Sequence, residues 1–201
     1  MKAPVKVTPH TESPPASALA PTPESAPAPT PAPAAFLLEH LPRLQAAPGP
    51  VLDLACGPGR NALAAARAGC AVIGLDRNAA ALAQLCAHAN AAQTAVQAVR
   101  ADVETAHGIP FAPQSFGAVL VFHFLFRPLA PEITRLLRPG GWLLYETFTT
   151  AQRTLPSGPR NPAFLLHPGE LPHLFPTLTP IHHAEVTSHS RATARLLARK
   201  P

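Results

Sequence analysis

The chain has little of what several protein classes require. Its three cysteines, Cys56, Cys70 and Cys86, show no C-x-x-C spacing, which argues against a disulfide framework or a zinc knuckle. No run approaches the roughly 18–20 uninterrupted apolar residues of a membrane span. Lysine occurs three times, at Lys2, Lys6 and Lys200, so the net charge of +5 rests on arginine. No RNA-binding motif or aromatic stacking cluster accompanies those arginines, and a nucleic-acid partner is not expected. Charged residues make up 13% of the sequence and only eleven are acidic, so the position of each carboxylate is informative. A basic start followed by an apolar block, the mark of a signal peptide, is missing as well. These absences together describe a soluble, cytoplasmic protein of a reducing compartment.

Proline, by contrast, is plentiful and uneven: ten of the 27 fall before Phe36. Proline removes backbone donors and alanine buries little area, so residues 1–35 cannot offset their ordering entropy. They are expected to form a disordered tail, with one domain over 36–201.

Within that domain the pattern alternates. Phe36 to Leu44 carries a short helical apolar stripe. Val51–Leu54 reads as a strand, Ala55–Gly59 as a glycine-rich turn and Arg60–Ala68 as a helix stopped by Gly69. Ala71–Leu75 is a second strand, and Asn78 is placed to cap a helix reaching about Ala91. Ala95–Ala101 and Phe116–Phe122 follow as strands. After a helix over Pro131–Leu137, Pro139-Gly140-Gly141 turns into a strand over Trp142–Phe148. Ile181–Val186 and Ala194–Arg199 close the chain as a pair. Strands alternating with helices predict an α/β fold, a doubly wound and mostly parallel sheet covered on both faces.

Three of the eleven acids, Asp53, Asp76 and Asp102, stand where predicted strands end, and ligands of open α/β sheets bind at that edge. Gly57-Pro58-Gly59-Arg60-Asn61-Ala62 fits a dinucleotide fingerprint, with Asp76 near the spacing of a ribose-binding acid. Asp53 discriminates, because a carboxylate four residues before Gly57 would repel a pyrophosphate at the helix N-terminus. S-adenosylmethionine has an ammonium and a sulfonium there instead. Its ribose suits Asp76 and its adenine amino group suits Asp102, so one ligand accounts for all three acids.

The segments V-L-D-L-A-C-G-P-G-R-N (51–61), I-G-L-D-R-N (73–78), A-D-V (101–103) and L-R-P-G-G-W-L-L (137–144) resemble the class I S-adenosylmethionine-dependent methyltransferases. The C-G-x-G-R-N form is similar to the tellurite-resistance branch of small bacterial members. The resemblance implies a seven-stranded Rossmann-like sheet with a reversed last strand. It implies a cofactor site of Asp53, Ala55, Cys56, Gly57, Gly59, Asn61, Asp76, Arg77, Asp102, Val103 and Phe122. His123, at the end of the fourth strand, is the candidate catalytic residue, as base or substrate contact. Arg127, Glu146, Arg160 and Asn161 are candidate contacts to a small, anionic or polar methyl acceptor. Ser157 to Leu171 is expected to arch over the site as a lid. Two departures stand out: Ala55 replaces the first loop glycine, and Gly117 replaces an acid common after the phenylalanine that opens the fourth strand. No metal is expected, because neighbouring strand residues such as His182 and His183 point to opposite faces. The alternatives are an NAD-dependent oxidoreductase and a non-catalytic module that binds S-adenosylmethionine.

Overall fold

The computed structural model describes residues 30–105 and 108–201. The expectation of a disordered tail lies, for residues 1–29, outside the described residues.

Among the described residues seven strands form one sheet in the order β3-β2-β1-β4-β5-β7-β6. The strands are β1 (Val51–Leu54), β2 (Val72–Asp76), β3 (Val96–Arg100), β4 (Phe116–Phe122), β5 (Leu137–Phe148), β6 (Thr179–Thr187) and β7 (Ala192–Arg199). Neighbours from β3 to β5 pair in parallel, and β7 runs antiparallel to both β5 and β6. All four residues of β1 and all seven of β4 are buried, which explains their continuous apolar runs. This is the doubly wound sheet with a reversed last strand.

Among the described residues six α-helices cover it: α1 (Ala35–Leu38), α2 (Leu41–Gln45), α3 (Arg60–Arg67), α4 (Ala79–Ala91), α5 (Ala130–Leu136) and α6 (Glu170–His173). β4 divides the core by alternation. Leu120 and Phe122 join Phe36, Leu63 and Leu85 on one face, whereas Val119 and Val121 join Ile133, Leu136 and Phe175 on the other. Asn78 caps α4 as expected, its Oδ1 accepting from the N–H groups of Ala80 (3.0 Å) and Ala81 (3.2 Å).

Three expectations are corrected. The stripe from Phe36 to Leu44 is two helices, because Pro42 has no N–H to continue the first and instead opens the second. Pro139-Gly140-Gly141 is part of β5, where the N–H of Gly140 donates to the carbonyl of Lys200 at 2.8 Å. The packed chain also begins before Phe36. Ala34 is buried and its N–H donates to Asn61 Oδ1 at 3.0 Å, while Arg60 donates to the carbonyl of Ala32.

The departure at Gly117 has a packing cause. A Cβ there would lie 2.7 Å from the backbone nitrogen of Gly49 and 2.8 Å from its oxygen. No side chain fits, so its acid is missing for a reason unrelated to chemistry at the strand ends.

Candidate active site

The loop between β1 and α3 folds through left-handed backbone at Ala55 (φ 55°), Gly57 (φ 54°) and Gly59 (φ 86°). Ala55 thus holds a conformation that glycine adopts more easily, which is why glycine is usual in this loop. A side chain on Gly59 would also collide with Leu85 of α4.

Two carboxylates hold this loop. Asp53 lies between Gly74 and Leu120 in the sheet register and is 2% exposed. Its Oδ2 accepts from the N–H of Ala62 in the first turn of α3 at 2.9 Å. Burial pushes its pKa up to about 7, opposed by that hydrogen bond and by the charge of Arg60. Asp76 accepts from the N–H of Gly57 at 2.8 Å with one oxygen and from that of Asn78 at 2.8 Å with the other. It thereby ties the loops before α3 and α4 together, and each oxygen keeps a further lone pair for a ligand.

A cavity of about 470 Å³ opens at this edge. Ala55, Asp76, Arg77, Asp102 and Val103 line one end, so five residues of the expected cofactor set come together there. Arg77 pairs with Glu104 at 2.7 Å and stands 3.9 Å from Asp102. The other end is lined by His123, Phe124 and Leu125 after β4, Phe148 at the end of β5, and Pro159 and Phe164 from the segment that follows. That segment therefore contributes Pro159 and Phe164 to the cavity wall.

His123 has φ 58° and donates its backbone N–H to the carbonyl of Glu146 at 2.8 Å. Its ring packs on Phe148, with centroids 4.8 Å apart. Nδ1 lies 3.4 Å from Nη2 of Arg60, and Nε2 is shielded from solvent without a hydrogen-bond partner. Burial, followed by the charges of Arg60 and Arg191, lowers its pKa to about 4.

Other expected site residues are placed elsewhere. Cys56 is in the core against Gly74, where burial raises the pKa of its thiol. Phe122 is buried in the same cluster, and Asn61 is buried and committed to Ala34. Glu146 is buried and pairs with Arg195, its cross-strand neighbour on β7, at 3.1 Å. Arg127 makes a bidentate pair with Glu170 (2.5 and 2.9 Å) and donates to the carbonyls of Ala163 and Leu165. It clamps the lid and presents no donor to the cavity. Arg160 is exposed and donates to the carbonyls of Arg153 and Leu155, and Asn161 caps a short 3₁₀ turn by accepting from the N–H of Ala163. The two residues that this segment gives to the cavity wall, Pro159 and Phe164, are both apolar.

Sequence reasoning overlooked Glu104, Phe148, Phe164 and Arg60. Glu104 was within reach of a pattern argument, two residues beyond Asp102. The aromatic pair and the contact of Arg60 with His123 arise only when distant segments meet.

The fold is the Rossmann-like sheet shared by solved methyltransferases. Residues 51–141 match the family described as a methyltransferase domain. The sheet is the fold of solved structures described as S-adenosylmethionine-dependent methyltransferases. Similar solved structures include TehB from Haemophilus influenzae, 20% identical, covering 82% of this chain and 61% of that one with a TM-score of 0.67. A geranyl diphosphate C-methyltransferase from Streptomyces coelicolor A3(2), solved with S-adenosyl-L-homocysteine, is 17% identical over 83% and 76%, with a TM-score of 0.64. The [4+2]-cyclase SpnF is 18% identical over 83% and 80%, with a TM-score of 0.68. At these identities the likeness is one of fold. A comparison with curated proteins finds no match. Among the described residues no helix is long and apolar enough to cross a membrane.

Proposed function

We propose that the enzyme methylates a small acceptor bound at the His123, Phe148 and Phe164 end of the cavity, by in-line displacement at the cofactor's methyl carbon. The observation that carries this reading is the continuity of a single cavity from Asp76 and Asp102 to the residues that follow β4 and β5. Asp76 accepts hydrogen bonds from the ribose hydroxyls and Asp102 from the adenine amino group. Asp53, beneath the loop, opposes the positive end of the cofactor. The bound cofactor supplies a methyl group already activated by its sulfonium charge. The chain supplies alignment and a dry site, with Pro159 and Phe164 as the apolar cover and Arg127 fixing that cover through Glu170.

Arg160 is given no acceptor role here, since its donors serve the loop's own carbonyls. The NAD-dependent alternative is disfavoured by Asp53, whose carboxylate lies beside the helix N-terminus that a pyrophosphate would occupy. The non-catalytic alternative loses its argument from Gly117, where packing excludes a side chain. The resemblance to the tellurite-resistance branch adds a metalloid oxyanion to the acceptors worth assaying. The test is calorimetric titration with S-adenosyl-L-homocysteine and NAD, followed by transfer of labelled methyl from S-adenosylmethionine into a fractionated small-molecule extract. Tight binding of NAD, or the absence of labelled product in every fraction, would count against the proposal.

A further inference from the structure

Resting on that reading, we infer that the methyl acceptor presents an oxyanion, of carboxylate or phenolate type, to the Nε2–H of His123, and that His123 serves as a hydrogen-bond donor and not as a general base.

The argument begins with the proton. A guanidinium offers only N–H donors, so Nδ1 of His123 faces Arg60 as an acceptor. The lone pair that a base would need is therefore engaged, and the proton of the neutral ring resides on Nε2. A doubly protonated ring would set a second N–H against Arg60. The surroundings reinforce this choice. Arg60 from α3 and Arg191 from the residue before β7 both act against a positive ring, and burial acts in the same direction. Asp53 is engaged with Ala62 and Glu146 with Arg195.

The result is a buried N–H donor without an acceptor. Such a donor is costly for a fold to keep unless something arrives to pair with it. The backbone of His123 is also in the left-handed region, pinned by Glu146, and strain of this kind persists where the surroundings over-determine it. Around the donor the cavity wall is apolar: Phe148 against the ring, with Pro159 and Phe164 above. This combination suits a compact apolar body carrying one negatively charged oxygen. Because no base is available at His123, the nucleophile arrives already ionised, which a carboxylate or an acidic phenol does at neutral pH.

The cofactor's own carboxylate has the same chemistry, so the experiment separates the two sources. The full chain with ¹⁵N-labelled histidine is examined by NMR alone, with S-adenosyl-L-homocysteine, and with S-adenosyl-L-homocysteine plus benzoate as the probe. The Nε2–H form of His123 is expected at neutral pH, with its signal moved by benzoate and left nearly in place by S-adenosyl-L-homocysteine. His123→Phe should weaken benzoate binding about tenfold or more while S-adenosyl-L-homocysteine affinity is kept, and His123→Gln, which retains an N–H donor, should recover part of the loss. An Nδ1–H or doubly protonated ring overturns the inference. So does engagement of Nε2 by S-adenosyl-L-homocysteine alone, or equal benzoate binding by wild type and His123→Phe. Failure of the wild type to bind S-adenosyl-L-homocysteine overturns the methyl-transfer reading and this inference with it. Binding of S-adenosyl-L-homocysteine without a benzoate response overturns this inference alone.

Discussion

Replacing Asp53 by asparagine should make the empty protein more stable and the cofactor bind less well, and both effects should depend on pH. In the folded chain Asp53 is buried with one hydrogen bond to its carboxylate, and its pKa is raised to about 7 from an ordinary value of 3.8. Where a carboxyl's folded pKa is raised, its contribution to stability is full below the ordinary value and is lost as pH rises through the folded value. Between those limits the unfolded chain has given up a proton that the folded chain keeps, a difference on the order of 4 kcal/mol when complete. Asparagine cannot ionise, and its Oδ1 still accepts from Ala62. The variant should therefore match the wild type near about pH 4 and exceed it by roughly 2–4 kcal/mol near about pH 8.5. For a domain of this size that corresponds to about 5–12 °C in melting temperature. Scanning calorimetry of both proteins across this range is the assay, and taking the difference cancels the titration of Glu170 and the histidines. With S-adenosylmethionine present the gap between the two proteins should narrow by about 1.4–2.7 kcal/mol. Ionised Asp53 faces the positive end of the ligand, so the variant should bind about ten- to a hundredfold more weakly above neutrality. Parallel melting curves at every pH would refute the reasoning, because Asp53 would then be ionised in both states or in neither.

Four further outcomes are expected. Asp76→Ala removes the acceptor for the N–H of Gly57 as well as a ligand contact, and should weaken S-adenosylmethionine binding roughly ten- to a hundredfold by calorimetry. Arg127→Met should release the lid, costing about 1–3 kcal/mol and opening residues 157–171 to limited proteolysis. It should also abolish an acid-side loss of stability, because Arg127 holds Glu170 below the usual carboxylate range and that contribution disappears as pH falls through the lowered value. Arg160→Ala should leave methyl transfer and S-adenosylmethionine affinity unchanged and shift stability by no more than about 0.5 kcal/mol, as measured by denaturant melts. Deleting residues 1–35 removes the hydrogen bonds of Ala34 and Ala32 to α3, and should lower stability by about 1–2 kcal/mol on thermal unfolding.

Much of the fold was legible because parallel strands buried on both faces write themselves as short continuous apolar runs, as Val51–Leu54 and Phe116–Phe122 do. Asn78 was legible because capping is a local matter between a side chain and the next turn. The placing of the strand-end acids was readable since strand ends converge on one edge, which brought Asp76 and Asp102 to the cavity wall. The residues after β4 and β5 were less so. Arg127, Glu146 and Arg160 looked like site residues because charge near a strand end or on a lid suggests a ligand. Their partners, Glu170, Arg195 and the carbonyls of Arg153 and Leu155, are supplied by chain geometry that spacing does not encode. Pro42 shows the same limit at a smaller scale, since the apolar stripe continued across a residue that the hydrogen-bond ladder could not.

The cavity draws its two ends from separate stretches of chain: Ala55 through Glu104 at one, His123 through Phe164 at the other. The division follows the sheet, with β1 to β3 on one side and β4 and β5 on the other. Change can therefore accumulate in the second stretch without disturbing the first. Substituting Phe148, Pro159 or Phe164 reshapes that end of the cavity while Asp53 and Asp76 keep their backbone partners. In this sense one end of the cavity is fixed by the sheet's carboxylates and the other is exchangeable. A graft of residues 123–175 between chains of this fold would exchange that end of the cavity as a unit.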